Sequence, residues 1–177
     1  VSGAGKGGID ELNNEVKALS EGKHLEPKVF QYQIAYNIIP QIGGEAFEGY
    51  TSEEMKMQNE GRKILHLPEM KVSCTCVRVP VFCSHSESIN VELNRPFTME
   101  EVFSALQNQP GLVIEDEPSQ NIYPLATEAA GKDQVFVGRI RRDFSVENGL
   151  NLWCVADNLR KGAASNAVEI LELLLKK

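Results

Sequence analysis

Tryptophan occurs once in the 177 residues, at Trp153, and cysteine four times. Four thiols, Cys74, Cys76, Cys83 and Cys154, are too few for the dense disulfide framework of a small secreted domain, so reduced cysteines are expected. No apolar run reaches the roughly 20 residues that a membrane-spanning helix needs. The opening Val1-Ser2-Gly3 has neither the basic nor the apolar region of a signal peptide, and no initiator methionine. A cytoplasmic protein without a membrane partner is expected, with Val1 reading as an internal boundary and the chain as a fragment. Positive charge is also short. Eighteen Lys and Arg against 25 Asp and Glu leave a net charge of −7, which argues against a nucleic-acid partner; Arg139, Arg141 and Arg142 are too local to change that.

What is present is 42% hydrophobic residue, enough for a compact domain with an appended element. A glycine-rich turn over residues 2–8 leads to Ile9, Leu12, Val16 and Leu19, whose spacing predicts one apolar stripe on a helix ending near Gly22. Residues 29–37 read as a buried strand that stops at Pro40, with a long loop to follow. Thr51 to Glu54 and Thr98 to Glu101 both have the capping-box spacing, predicting helices to Leu65 and through Val102, Phe103 and Leu106. Residues 72–79 alternate so that Cys74, Cys76 and Arg78 share one face of a strand. Further strands are expected at 89–93, 112–114, 135–140 and 150–156, and Asp157 or Asn158 caps a last helix through Val168, Ile170 and Leu173. No internal repeat or low-complexity stretch interrupts this order. The expected class is α+β, a mostly antiparallel sheet with helices on one face.

Several runs jointly carry a family resemblance: Ser2-Gly3-Ala4-Gly5, Asn37-Ile38-Ile39-Pro40-Gln41, Glu53-Glu54-Met55-Lys56, Cys76-Val77-Arg78-Val79-Pro80 and Ser84-His85-Ser86-Glu87-Ser88. Phe136-Val137-Gly138-Arg139-Ile140-Arg141, Asp157-Asn158-Leu159 and Lys161-Gly162-Ala163-Ala164 continue it in the same order. Together they resemble the C-terminal catalytic and dimerisation part of the aspartate-semialdehyde dehydrogenases. The resemblance implies an NADP-dependent homodimer that converts aspartyl phosphate to aspartate semialdehyde and phosphate through a cysteine thioester, in lysine, threonine and methionine biosynthesis. It assigns residues 1–157 to the catalytic and dimerisation domain, and 158–177 to a C-terminal helix that packs on a nucleotide-binding domain absent here. The family's nucleophilic cysteine lies in an asparagine-cysteine-serine/threonine context, which none of the four cysteines has. The chain alone is therefore expected to be inactive.

By the same resemblance, Arg78 holds the substrate α-carboxylate, Glu53 receives its ammonium, Lys56 binds phosphate and His85 is the general acid/base. Ser2, Gly3 and Asn158 lie beside the cofactor. The chemistry suits the types: a planar fork for a carboxylate, a point charge for phosphate, and a group of near-neutral pKa for proton transfer. Read without the resemblance, Arg78 is a strand arginine paired to an acid, Glu53 and Lys56 are an i,i+3 ion pair, His85 is a loop histidine, and Asn158 is a helix cap. Cys74-x-Cys76 with Cys83 and His85 does not match zinc-knuckle spacing, and no metal is expected. The alternatives are a non-catalytic dimerisation or scaffold module, and an acyl-phosphate reductase acting on another substrate.

Overall fold

The structure, a computed structural model, describes residues 1–176; Lys177, the last residue of the expected C-terminal helix, lies outside them. The chain forms two compact units, Val1 with Gly3–Phe82, and Ser2 with the residues from Cys83 onward.

In the first unit, helix α1 (Gly5–Ser20) buries the expected stripe: Leu12 is a core residue beside Phe30, Ile34, Ala35 and Ile39, and Ile9, Val16 and Leu19 pack against them. The glycine-rich turn, expected as a loop, is instead a 3-10 turn (Ser2–Ala4) followed by the first turns of α1. Its glycines serve close approach. A Cβ on Gly8 would stand 2.9 Å from both the Ala4 Cβ and the Phe30 ring.

Residues 29–37, expected as a strand, are irregular and unpaired with any other strand, although Phe30, Ile34 and Ala35 are buried as that reading required. The reason lies on α1. Glu11 accepts the backbone N–H groups of Lys28, Val29 and Phe30 at 2.7, 2.7 and 3.0 Å, and Glu15 those of Ile34 and Ala35 at 2.9 and 2.8 Å. Two carboxylates thus satisfy the donors that a neighbouring strand would otherwise have to take.

The expected loop after Pro40 contains a small antiparallel pair, β1 (Glu45–Phe47) and β2 (Tyr50–Thr51), which delivers the chain into α2 (Ser52–Ile64). Both capping-box bonds between Thr51 and Glu54 are present. Residues 72–79 are a second correction. They alternate in burial as expected, but pair only through one antiparallel bridge, Arg78 to Ile39.

The second unit is a four-stranded sheet in the order β3-β6-β5-β4, built from β3 (His85–Glu92), β4 (Leu112–Ile114), β5 (Val135–Asp143) and β6 (Gly149–Ala156). Only β4–β5 is parallel, so the α+β class with a mostly antiparallel sheet stands. Helix α3 (Met99–Gln107), capped by Thr98 and Glu101, lays Val102, Phe103 and Leu106 over Val137, Ile140 and Leu150. The one-turn α4 (Ala126–Ala129) packs on Phe136 and Val155. Strand β5 carries a bulge: Gly138 pairs with Trp153 and Arg141 with Asn151, leaving Arg139 and Ile140 opposite one residue. Asp116 pins it by accepting the N–H groups of Arg139 and Ile140 at 2.7 and 3.0 Å.

After β6, Asp157 is the cap. Its Oδ1 accepts the N–H groups of Leu159 and Arg160 at 2.8 and 3.1 Å, starting a π-helical turn (Arg160–Ala164) that runs into α5 (Ser165–Leu175). Asp133 holds the same segment through a bidentate bond to Arg160, at 2.9 and 2.7 Å, and a bond from the Ser165 hydroxyl. Burial alone would raise the Asp157 carboxyl, but N–H donors from Gly131, Leu159 and Arg160 outweigh it and hold it below the usual carboxylate range. Bonds from Arg160 and Ser165 bring Asp133 down to about 2. A carboxyl depressed on folding stabilises the folded form above its unfolded value and loses that contribution as pH falls through the folded one. The segment from Leu159 onward is therefore expected to loosen between about pH 4 and pH 2. Faster amide exchange across residues 160–175 than in β5 over that window is the expected result; uniform exchange contradicts it. No helix among the described residues is long and apolar enough to cross a membrane.

Candidate functional site

The first unit brings three of the expected site residues into one local structure. The capping box fixes the first turn of α2, placing Glu53 and Lys56 on the same side of it. Lys56 Nζ donates to Glu53 Oε2 at 3.1 Å, so the i,i+3 ion pair is present, and the bond raises the Lys56 pKa and keeps the group charged. Glu54, which spacing suggested only as a cap, has a second role. Its Oε2 accepts the Thr51 N–H at 2.8 Å and its Oε1 the Cys76 N–H at 2.9 Å, tying the start of α2 to the extended segment that carries Arg78. The Thr51 and Cys76 N–H groups hold its carboxyl below the ordinary value.

Arg78 is fixed through its backbone, donating to the Ile39 carbonyl at 2.8 Å and accepting from the Ile39 N–H at 3.0 Å. Its guanidinium lies 6.0 Å from the Phe30 ring centroid. Among the described residues it forms no ion pair with an acid, so the paired-strand reading does not describe it. Gly3, exposed in the 3-10 turn, belongs to this unit as well.

The second unit gathers Ser2, His85 and Asn158. His85 is the first residue of β3 rather than a loop residue, and its partner in register is Ala156, two positions before Asn158. Buried Ser2 donates from its hydroxyl to Asn158 Oδ1 at 2.6 Å. Because Asp157 does the capping, the Asn158 amide is not used for it. Sequence reasoning missed what sets the entry to His85. Ser84 is buried at φ +77°, where a non-glycine residue is strained, and its hydroxyl donates to the Ala126 carbonyl at 3.0 Å. The Cys83 thiol lies close enough to the Asp157 carboxylate to feel its charge. No pattern of spacing signals either contact.

Three thiols are held protonated. Burial first, then the Cys74 neighbour, pushes Cys76 up to about 12; burial pushes Cys154 up to about 11; burial and the Asp157 charge raise Cys83. A nucleophilic cysteine needs the opposite shift. Among the described residues no cluster of three or more His, Cys, Asp or Glu is placed to hold a metal ion.

Known proteins match this arrangement over its whole length. The family model for the semialdehyde dehydrogenase dimerisation domain matches residues 1–161. The aspartate-semialdehyde dehydrogenase of Aquifex aeolicus (strain VF5) is 52% identical over 179 residues, covering 100% of this chain and 52% of the relative. That of Bacillus subtilis (strain 168) is 46% identical, covering 99% of this chain and 53% of the relative. Among solved structures, aspartate semialdehyde dehydrogenase II from Vibrio cholerae, complexed with ASA, superposes with a TM-score of 0.94 at 47% identity, over 99% of this chain and 52% of that one. The Candida albicans enzyme with NADP, at 23% identity and a TM-score of 0.64 over 94% of this chain and 63% of that one, shares the fold. The chain thus spans about half the length of the curated relatives it matches. It belongs to the semialdehyde dehydrogenase dimerisation-domain family.

Proposed function

We propose that this chain is the substrate-binding and dimerisation part of an NADP-dependent aspartate-semialdehyde dehydrogenase. The observation that carries the reading is Arg78: a guanidinium with no acid partner, held by its backbone bridge and tied through Cys76 and Glu54 to the helix turn bearing Glu53 and Lys56. A fork donor, a carboxylate and a phosphate-binding cation are the groups that an amino-acid acyl phosphate requires. Arg78 holds the α-carboxylate, Glu53 the ammonium and Lys56 the phosphate. His85 takes the proton of a nucleophilic thiol and exchanges protons with the thiohemiacetal oxygen. NADP, when bound, accepts or supplies the hydride. Ser2, Gly3 and Asn158 lie beside it, and the bond from Ser2 to Asn158 Oδ1 fits this role by leaving the amide nitrogen as a donor.

The substrates are aspartate semialdehyde with phosphate, or aspartyl phosphate in the reductive direction, in the cytoplasmic synthesis of lysine, threonine and methionine. The enzyme works as a homodimer. Residues 1–157 form the catalytic and dimerisation domain, and the segment from Asn158 packs on a nucleotide-binding domain contributed by the rest of the polypeptide. Exposed Val168, Ile170, Leu171, Leu173 and Leu174 on α5 support that role. The chain alone is inactive because none of its four cysteines stands in the family's asparagine-cysteine-serine/threonine context.

The test is Arg78→Leu in the longer polypeptide, followed by NADPH formation from aspartate semialdehyde and phosphate. KM for aspartate semialdehyde is expected to rise about 10- to 100-fold, the worth of a bidentate charged bond. An unchanged KM removes the assignment.

A further inference from the structure

Six residues other than glycine take a positive φ among the described residues, and five of them are exposed. Ser84 alone is buried, 7% exposed at φ +77°. Glycine adopts this conformation freely, whereas the serine Cβ opposes it, so something must hold Ser84 there. Its position gives the strain a meaning, because it immediately precedes His85.

The restraint is a side-chain bond. The Ser84 hydroxyl donates to the Ala126 carbonyl at 3.0 Å, and that carbonyl also accepts the Ala130 N–H at 3.2 Å, so it is fixed in the turn of α4. Helix α4 is seated in turn: Ala129, 1% exposed, packs on Phe136 and Val155. Val155 neighbours Ala156 on β6, and Ala156 is the residue that pairs with His85. Both restraints on the start of β3 therefore refer to the same strand.

The ladder alone is a weak restraint at this place. His85 is the first rung of β3, and β3 lies at the edge of its sheet, with β6 as its one neighbour. Terminal rungs of an edge strand open at little cost. Without the hydroxyl bond, Ser84 would return toward the negative φ that its Cβ favours, redirecting the chain as it enters the strand and freeing the first rung to fray.

We propose that Ser84 is a positioning residue for His85: its left-handed backbone, locked by the hydroxyl bond to Ala126, sets the direction of the histidine and keeps the first rung of β3 closed. The inference rests on the acid/base reading of His85 given above. In the longer enzyme, Ser84→Ala keeps the opposing Cβ and removes the bond. Its kcat is expected to fall about tenfold, with KM for aspartate semialdehyde within about threefold. Ser84→Gly fits φ +77° freely and is expected to lose only about threefold in kcat. A site that mattered for packing alone would rank the two the other way, since glycine leaves the larger void.

Each variant is then combined with His85→Asn, with kcat read well below the lowest melting temperature. Both losses are expected to disappear in that background, because a residue that acts by aiming the imidazole has nothing left to aim. Parental kcat in Ser84→Ala, a glycine variant no better than the alanine one, or losses that persist beside His85→Asn overturn the proposal. Should Ser84→Ala fail to fold, Ser84→Gly decides by itself: parental kcat, or a loss undiminished in the His85→Asn background, overturns it. Parental kcat in His85→Asn would remove the acid/base reading and this inference with it, whereas an impaired His85→Asn beside an unimpaired Ser84→Ala removes the inference alone.

Discussion

Replacing His85 by asparagine in the longer enzyme is expected to lower kcat by about 10²- to 10⁴-fold, with KM for aspartate semialdehyde within about threefold and melting temperature little changed. The argument begins with its place in the fold. His85 is exposed, at the end of a strand whose backbone pairing with Ala156 does not depend on the side chain. The residue before it anchors the strand entry, Ser84 bonding to α4. A substitution at an exposed position usually costs little stability, whereas a proton-transfer group works only in the transition state, so its loss falls on kcat. Asparagine keeps the size and a hydrogen-bonding end but cannot take up a proton near neutral pH. Single-turnover measurement of NADPH formation separates the chemical step from product release. A loss below about fivefold, or one seen only in KM, would make His85 a binding residue at most.

The sequence disclosed different layers of this molecule unequally. Where a signal is local and periodic, it was legible. The apolar stripe of α1, both capping boxes and the strands at 112–114, 135–140 and 150–156 emerge within a few residues of where pattern places them. Residues 29–37 were misread because a buried apolar run does not say who receives its backbone donors. Here Glu11 and Glu15 do, from α1, about 20 residues away in the chain. Residues 72–79 show the same limit: alternation set which side is buried but could not supply a partner strand. The candidate site was legible only through the resemblance. Spacing alone gave an ion pair for Glu53 and Lys56, and that pair is present; what distinguishes the site is Arg78 without an acid partner, which no local pattern encodes. The bulge in β5 was invisible for a related reason, because Asp116, which pins it, reaches it from beyond β4.

Gly138→Ala is expected to destabilise the chain by about 3 kcal/mol or more, lowering its melting temperature by about 6–12 °C. A Cβ at this position would fall far inside contact distance of the Glu115 carbonyl oxygen and 2.6 Å from Pro124 Cδ. Neither neighbour is the flexible end of a side chain. Glu115 is held by its own N–H bond to the Val137 carbonyl at 2.9 Å, in the parallel ladder that joins β4 to β5, and Pro124 accepts the Trp153 indole bond. Relief therefore requires β4 to part from β5, or the bulge to slip and carry Ile140 out of the α3 core. Gly44→Ala is the control, since a Cβ there meets nothing within 4 Å, and it is expected to change stability by less than about 0.5 kcal/mol. Thermal unfolding of the two variants side by side decides the matter, and equal melting temperatures would show that β5 has slack its contacts do not reveal. The consequence reaches the site as well. Gly138 pairs with Trp153, and three residues further along β6 Ala156 faces His85, so displacing β5 disturbs the strand that sets both His85 and Asn158. An alanine at 138 in the longer enzyme should accordingly lower activity below the unfolding temperature, with the loss tracking the fall in stability across a series of larger side chains.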